Sequence, residues 1–179
     1  RATNLRLRVA WGGGVSRQWQ GSLTAQYGSF SQLSYLGLDA NETATIYLDN
    51  NTVHIEQRSA RDYDGFDIQV SGSSQTTLAL ELAPVAKPNE RHEVDVPLEK
   101  LITGYRHVQL DDQGNQILIQ RVNGDRLRTK FDRSSLVFST GESFRFEVEP
   151  HQTGLTDRSN LQCRIELFGH EDEDPVWEE

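Results

Sequence analysis

The segment with the clearest potential for chemistry is a run of aspartates around a glycine, from Arg61 to Asp67. Asp62, Asp64 and Asp67 place three carboxylates close together, and oxygen-rich loops of this kind bind calcium, a hard cation. The segment lacks the EF-hand pattern with its terminal bidentate glutamate, and aspartates also cap the turns that open strands. The sequence therefore offers these three aspartates as calcium candidates, with a strand-opening turn as the alternative.

A second group of residues suits carbohydrate binding. Arg17, Trp19, Tyr27 and Tyr63 lie beside polar or loop residues. Exposed aromatic rings in such surroundings can stack on sugar rings while polar neighbours bind the hydroxyls. Trp19 also shares its alternation with Leu23, which favours a place in the core. We predict a ligand-binding surface from these four residues and keep a core position for Trp19 as the alternative.

Familiar catalytic motifs are absent from the sequence. No two histidines have the i, i+4 spacing of a helical zinc site, and Gly-x-Ser-x-Gly does not occur. The Gly12–Gly14 run lacks the Gly-Lys-Ser/Thr of a phosphate loop and is predicted to be a turn. Cys163 lies on the inward side of an alternating segment and is predicted to be a core residue. Paired carboxylates can hydrolyse glycosides, but 27 acidic residues offer too many pairs to select one.

Composition and charge exclude several classes of protein. With 18 basic and 27 acidic residues the net charge is −9, which argues against a non-specific nucleic-acid binder. No apolar run approaches the length of a transmembrane helix, so direct membrane insertion is not expected. A single cysteine excludes an internal disulfide framework and a classical structural zinc site. The chain begins at Arg1 and contains no methionine, which favours a processed or excised piece.

The elements that must position these residues are strands. Apolar and polar residues alternate with period two in many segments, which is typical of half-buried strands. The sequence predicts an all-β fold, an antiparallel β-sandwich or jelly-roll-like domain of roughly 11–13 strands. At most one short helical turn is expected, at 98–102, closed by Gly104. The clearest alternating segments are 5–11, 66–70, 78–82, 144–148 and 161–167.

Turn signals separate the predicted strands. Asp49–Asn51 and Asp111–Asn115 are each predicted to close a hairpin, as is the Asn123-Gly124 pair. The prolines of 83–89 indicate a loop across one sandwich rather than a boundary between two domains. We predict a single sandwich domain over residues 1–170, followed by an acidic tail or linker over residues 171–179.

Several segments resemble uncharacterised, non-catalytic β-sandwich modules of large secreted bacterial proteins. The resemblance implies a module outside the cytoplasm, beside other domains of the same polypeptide. It carries no residue with an assigned role. The segments that carry it are Trp19–Gly21, Leu33–Leu38, Tyr63–Asp67, Asp112–Gln116 and Gly124–Arg128.

Three functional hypotheses follow from the sequence. The leading one is a non-enzymatic module of a larger exported protein with an interaction or scaffolding role and polysaccharide as the ligand. The second is a glycan-active enzyme domain that uses loop carboxylates, and the third is a purely structural spacer. No cofactor is expected apart from the calcium candidate, and no nucleic-acid partner is expected.

Overall fold

The computed structural model describes residues 3–36, 45–122, 124–132, 137–150, 164–168 and 175–178. These residues form twelve strands and one 3₁₀ helix, Leu98–Leu101, so the predicted all-β fold and its single helical turn are confirmed. The strands are β1 Thr3–Arg17, β2 Trp19–Tyr35, β3 Ile46–Asp49, β4 Thr52–Glu56, β5 Arg61–Pro84, β6 His92–Pro97, β7 Tyr105–Gln109, β8 Gln116–Arg121, β9 Leu127–Phe131, β10 Phe146–Pro150, β11 Glu166–Phe168 and β12 Pro175–Glu178.

Eight of the strands form one antiparallel sheet in the order β3-β4-β2-β5-β1-β8-β7, with β6 also paired to β5. The long strands β2 and β5 belong to both halves of this sheet. Residues 61–72 of β5 pair with β1 and with the end of β2, whereas residues 77–84 pair with the start of β2 and 77–82 also with β6. The sheet thus folds over into two layers. The first layer contains β7, β8 and β1, and the second contains β6, β4 and β3.

The fold-over corner lies where Tyr27 of β2 faces the four residues Ser73–Thr76 of β5. Tyr27 has a left-handed φ of 56°, and the buried Thr76 fills the inside of the bend. The Thr76 Oγ1 donates to the Tyr27 carbonyl at 2.7 Å and accepts from the Ser73 amide at 2.8 Å. A Cβ on Gly72 would lie 2.2 Å from Thr76 Oγ1, so the corner requires a glycine there.

The inward residues of both layers form a single hydrophobic core. The alternation predicted for β1 and β5 is confirmed, because Leu5, Leu7 and Val9 pair in register with the equally buried Val70, Ile68 and Phe66. Trp11 meets the Phe66 ring edge-on, with the ring centroids 6.1 Å apart. Each such side chain contributes about 1.5–3 kcal/mol on burial, so these strands hold the layers together. Other core residues come from β2, β4, β6 and β8, among them Leu23, Val53, Ile55, Val94, Val96, Ile117 and Ile119.

Two of the predicted hairpins are confirmed. Asn50 and Asn51 join β3 to β4 with left-handed φ values of 44° and 63°, the backbone that a two-residue hairpin requires. The Asp111–Asn115 loop joins β7 to β8. The third hairpin is not formed, because β8 pairs with β1 and β7 while β9 pairs with β10; Asn123 itself lies outside the described residues.

The predicted turn at Gly12–Gly14 is wrong, because β1 runs on to Arg17. Gly12 pairs with Tyr63 and Arg17 with Arg61, so the intervening residues bulge opposite Asp62. Gly12 and Gly14 allow neighbouring backbone to approach β1 closely, and they do not reverse the direction of the chain. A Cβ on Gly12 would lie 2.1 Å from the Asp62 carbonyl oxygen, a distance that no side chain tolerates.

The last four strands stand apart from the eight-stranded sheet. β9 pairs with β10 and β11 pairs with β12, each as a separate two-stranded sheet. The predicted acidic tail therefore includes a strand, Pro175–Glu178. Alternation predicted strands over 144–148 and 161–167, which overlap β10 and β11, but it did not predict β9 or β12 or any of the pairing, since pairing depends on distant residues. Cys163, predicted to be a core residue, lies outside the described residues.

Candidate functional site

The bulged end of β1 meets two other segments at one end of the sandwich. We call this surface the glycine end and define it by Gly12–Arg17, Arg61–Gly65 and Asp111–Asn115. The start of β5 lies on one side of β1 through its register with Gly12 and Arg17. The β7–β8 loop lies on the other side, where the Val15 amide donates to the Gln113 carbonyl at 3.3 Å.

Asn115 fixes the β7–β8 loop to the glycine run. It is fully buried, and its Nδ2 donates to the Val15 carbonyl at 3.1 Å and to Asp111 Oδ2 at 2.8 Å. Its Oδ1 accepts from the Gly14 amide at 3.3 Å. A Cβ on Gly14 would lie 2.2 Å from the Gln113 carbonyl oxygen, so only glycine allows this contact. The loop is thus held by side-chain and backbone bonds and presents a preformed surface.

Arg17 closes the same loop with an ion pair. Its Nε lies 3.1 Å from Asp111 Oδ2, and its Nη2 donates to Gln113 Oε1. Burial raises the pKa of Asp111, but hydrogen bonds from Asn115 and Gln113 and the charge of Arg17 together outweigh it, so the pKa lies below its ordinary 3.8. Asp111 is therefore charged at neutral pH, and Arg17 stays fixed beside it.

Tyr63 provides the exposed aromatic ring of the glycine end. Its side chain is 69% exposed and lies against Gly13, where a Cβ would be 3.2 Å from the Tyr63 Cε1. Next to it, Ser16 Oγ donates to the Asp62 carboxylate. The glycine end thus combines one exposed ring with hydroxyl, carboxylate, amide and guanidinium groups on neighbouring residues, the kinds of group that recognise a sugar by stacking and hydrogen bonding.

The other two predicted ligand-binding residues lie elsewhere. Trp19 is 1% exposed, which corrects its assignment to a stacking surface and agrees with the core alternative. Its backbone amide donates to the buried Gln57 Oε1 at 2.7 Å. Tyr27 is 78% exposed but lies at the fold-over corner, opposite Ser73–Thr76 and about 30 Å along β5 from Tyr63. The structure therefore brings Arg17 and Tyr63 to one surface and separates Trp19 and Tyr27 from it.

The three calcium candidates do not converge, which corrects that prediction. Asp64 lies on the inner side of β5, where it accepts from the Gly65 amide at 2.8 Å and from Gln57. Asp67 lies on the outer side, bound by Arg8 at 2.8 and 3.1 Å. Strand alternation forces this separation. Across the described ranges, no group of three or more histidine, cysteine or acidic side chains is arranged to hold a metal ion.

The outward side of the first layer carries a polar surface that sequence reasoning missed. We call it the outer face, and its central row crosses five strands in register. Arg8 and Asp67 form the centre of the row, and the hydrogen bond from Arg8 to Asp67 raises the pKa of the guanidinium. The alternation in β1 was visible in the sequence, but the partners of that strand were not. The row is Tyr105, Gln120, Arg8, Asp67 and Ser34.

Comparisons with known proteins give no relative: no family model, no curated protein and no solved structure matches this chain. Within the described part of the chain, no helix has the length and apolar character needed to cross a membrane.

Proposed function

We propose that this chain is a non-catalytic β-sandwich module that binds a carbohydrate at the glycine end. The observation that carries the proposal is the exposed Tyr63 ring, set against Gly13 at the same end of the sandwich as the Arg17–Gln113 and Ser16–Asp62 pairs. The loop beneath these groups is fixed by the buried Asn115, so little conformational entropy is lost when a ligand binds.

The carboxylates of this surface support binding rather than hydrolysis. A glycosidase needs one carboxylic acid whose pKa is raised, so that it can donate a proton to the leaving group. Asp111 has the opposite shift, and Asp64 is held by Gln57 and the Gly65 amide. Asp62 is engaged by Ser16. These groups are arranged to hold the loops and to accept hydrogen bonds.

The setting that fits this proposal is a larger exported protein. The module would act beside other domains of the same polypeptide and bring them to a polysaccharide. This part of the proposal depends on the resemblance to modules of secreted bacterial proteins and on the polar character of the surface.

The replacement Tyr63→Ala tests the proposal. We expect it to weaken glycan binding about thirtyfold, because an aromatic ring at the centre of a contact contributes about 2 kcal/mol. Affinity electrophoresis through gels that contain xylan, mixed-linkage glucan or galactomannan measures the change. Tyr27→Ala is the matched control, since Tyr27 is also well exposed but lies at the fold-over corner, away from the glycine end.

The expected result is loss of retention for Tyr63→Ala and unchanged retention for Tyr27→Ala in the same gel. Equal retention of both variants would contradict the assignment to the glycine end. If no glycan retards the folded wild-type protein, carbohydrate binding itself is refuted.

A further inference from the structure

A second surface suited to a ligand lies where β1 and β8 reach Val122 and residues 124–128. Two adjacent grooves meet there, and Val122 and Gly124 line both of them. The larger groove has a volume of about 580 Å³ and the smaller one about 350 Å³. The larger is lined in part by Arg6, Gln32, Gln69, Arg128 and Thr129, and the smaller by Tyr105, Gln120, Arg121 and Arg126.

The charge of these grooves is opposite to that of the whole protein. Among the described residues, four arginines line them, at positions 6, 121, 126 and 128, and Asp125 is the one acidic residue in the two linings. The Asp125 side chain is only 2% exposed and lies beneath the arginines, held by Arg121 at 2.6 Å and Arg128 at 2.7 Å. A positive surface is thus concentrated in a protein whose net charge is −9.

Two of these guanidinium groups are accessible to a ligand. The Arg6 side chain is 49% exposed, and its Nη2 lies 3.9 Å from an Asp67 carboxylate that Arg8 already binds through both oxygens. Arg126 is exposed at the rim of the smaller groove. Arg128 adds a partly buried guanidinium to the lining of the larger groove, with 35% of its side chain exposed.

We propose that the double groove binds an acidic polysaccharide, with Arg6, Arg126 and Arg128 contacting its carboxylate or sulfate groups. The planar guanidinium pairs with either anion through two parallel hydrogen bonds. The amides of Gln32, Gln69 and Gln120 and the hydroxyl of Thr129 supply the donors and acceptors that sugar hydroxyls require. The site lies about 20 Å along β1 from Gly13, so it is separate from the surface proposed above.

A glycan fits these observations better than a nucleic acid. A phosphate backbone carries one charge per residue over a long contact, and its binding needs a continuous basic surface. Here four arginines line two grooves while the protein as a whole carries a net charge of −9, so it repels a uniformly charged polymer beyond the grooves. A polysaccharide with spaced anionic groups and intervening hydroxyls meets both the arginines and the amides.

The experiment compares wild type with Arg6→Gln, Arg126→Gln and the double variant. Isothermal titration with polygalacturonate oligomers, dextran sulfate, uncharged dextran and a short DNA duplex gives the affinities. We expect the double variant to bind the acidic glycans at least about tenfold more weakly, and salt to weaken wild-type binding. The relative affinities for polygalacturonate and dextran sulfate identify the anion. Arg91→Gln is the matched control, because Arg91 forms an exposed pair with Glu81 in the second layer.

Tyr63→Ala separates this site from the glycine end, and we expect it to bind the acidic glycans as wild type does. The inference would be overturned if neither acidic glycan bound, if Arg91→Gln lost as much affinity as the double variant, if uncharged dextran bound equally well, or if the DNA duplex bound more tightly. Retained affinity in the double variant would also overturn it.

Discussion

Replacing Asp125 with alanine is expected to lower the free energy of unfolding by about 3–5 kcal/mol, because it removes the acidic partner from a buried ion pair. The Arg121 and Asp125 side chains are 5% and 2% exposed, with 2.6 Å between Nε and Oδ2. Arg128 donates to the second carboxylate oxygen at 2.7 Å. The variant leaves the buried Arg121 without that carboxylate in a poorly solvated place, whereas Arg128 is partly exposed.

Urea denaturation at neutral pH measures this loss, and Glu90→Ala is its control. Glu90 also pairs with a cation, Lys87, at 2.7 Å, but both side chains are more than half exposed. Exposed pairs contribute about 1 kcal/mol or less, so this variant should change little. Similar losses in the two variants would show that burial does not set the strength of the Asp125 pair.

The loss of stability in Asp125→Ala is expected to depend on pH, in a direction that the pKa of Asp125 determines. Burial raises the pKa of Asp125, but hydrogen bonds from Arg121 and Arg128 outweigh it and hold the pKa below its ordinary 3.8. A carboxylate whose pKa is lowered by folding stabilises the protein above 3.8 and stops doing so as the pH falls through the folded value. The gap in stability between wild type and Asp125→Ala should therefore narrow in acid. A gap that stays constant down to about pH 2 would contradict this.

The second large effect is expected at the fold-over corner. Thr76→Val keeps the shape of the side chain but removes the hydroxyl that joins the Tyr27 carbonyl to the Ser73 amide. Because Thr76 is fully buried, both backbone groups lose a partner. A buried group left without a partner costs about 1–3 kcal/mol. Both hydrogen bonds here are part-buried, so we expect a loss of about 2–4 kcal/mol in the free energy of unfolding.

Thr77→Val is the control for the corner, since Thr77 is the next residue of β5 and only partly buried. It should change the stability by less than about 0.5 kcal/mol. Thermal and urea unfolding of both variants give the comparison. If Thr76→Val is as stable as Thr77→Val, the hydroxyl does not hold the two layers at this bend.

Much of the fold could be predicted from alternation and turn chemistry. The inward sides of β1 and β5 were readable because apolar and polar side chains alternate there, and Asn50-Asn51 marked its hairpin through a requirement for left-handed backbone. The Gly12–Gly14 run was misread because glycines carry no side chain to mark a face. The structural role of Gly12 and Gly14 depends on β5 and the β7–β8 loop, whose backbone approaches these two glycines too closely for a Cβ.

The candidate site was predicted only in part, because sequence gives residue types but not register. Arg17 and Tyr63 were identified by their polar or loop surroundings, yet their proximity depends on pairing between β1 and β5 across more than forty residues. Trp19 has polar neighbours in sequence, but its alternation with Leu23 places it in the core. The arginine-lined grooves were missed because they combine β1, β8 and the segment after β8.

The most direct measurement of the central claim, that this module binds carbohydrate at the glycine end, is an NMR titration. The ¹H–¹⁵N spectrum of the wild-type protein is followed as xylo-, cello- and manno-oligosaccharides are added. The account predicts saturable shifts for at least one of them, concentrated at the amides of Gly13, Gly14, Tyr63 and Gln113. Shifts that cluster around Tyr27, or no shift with any of the three, would contradict it.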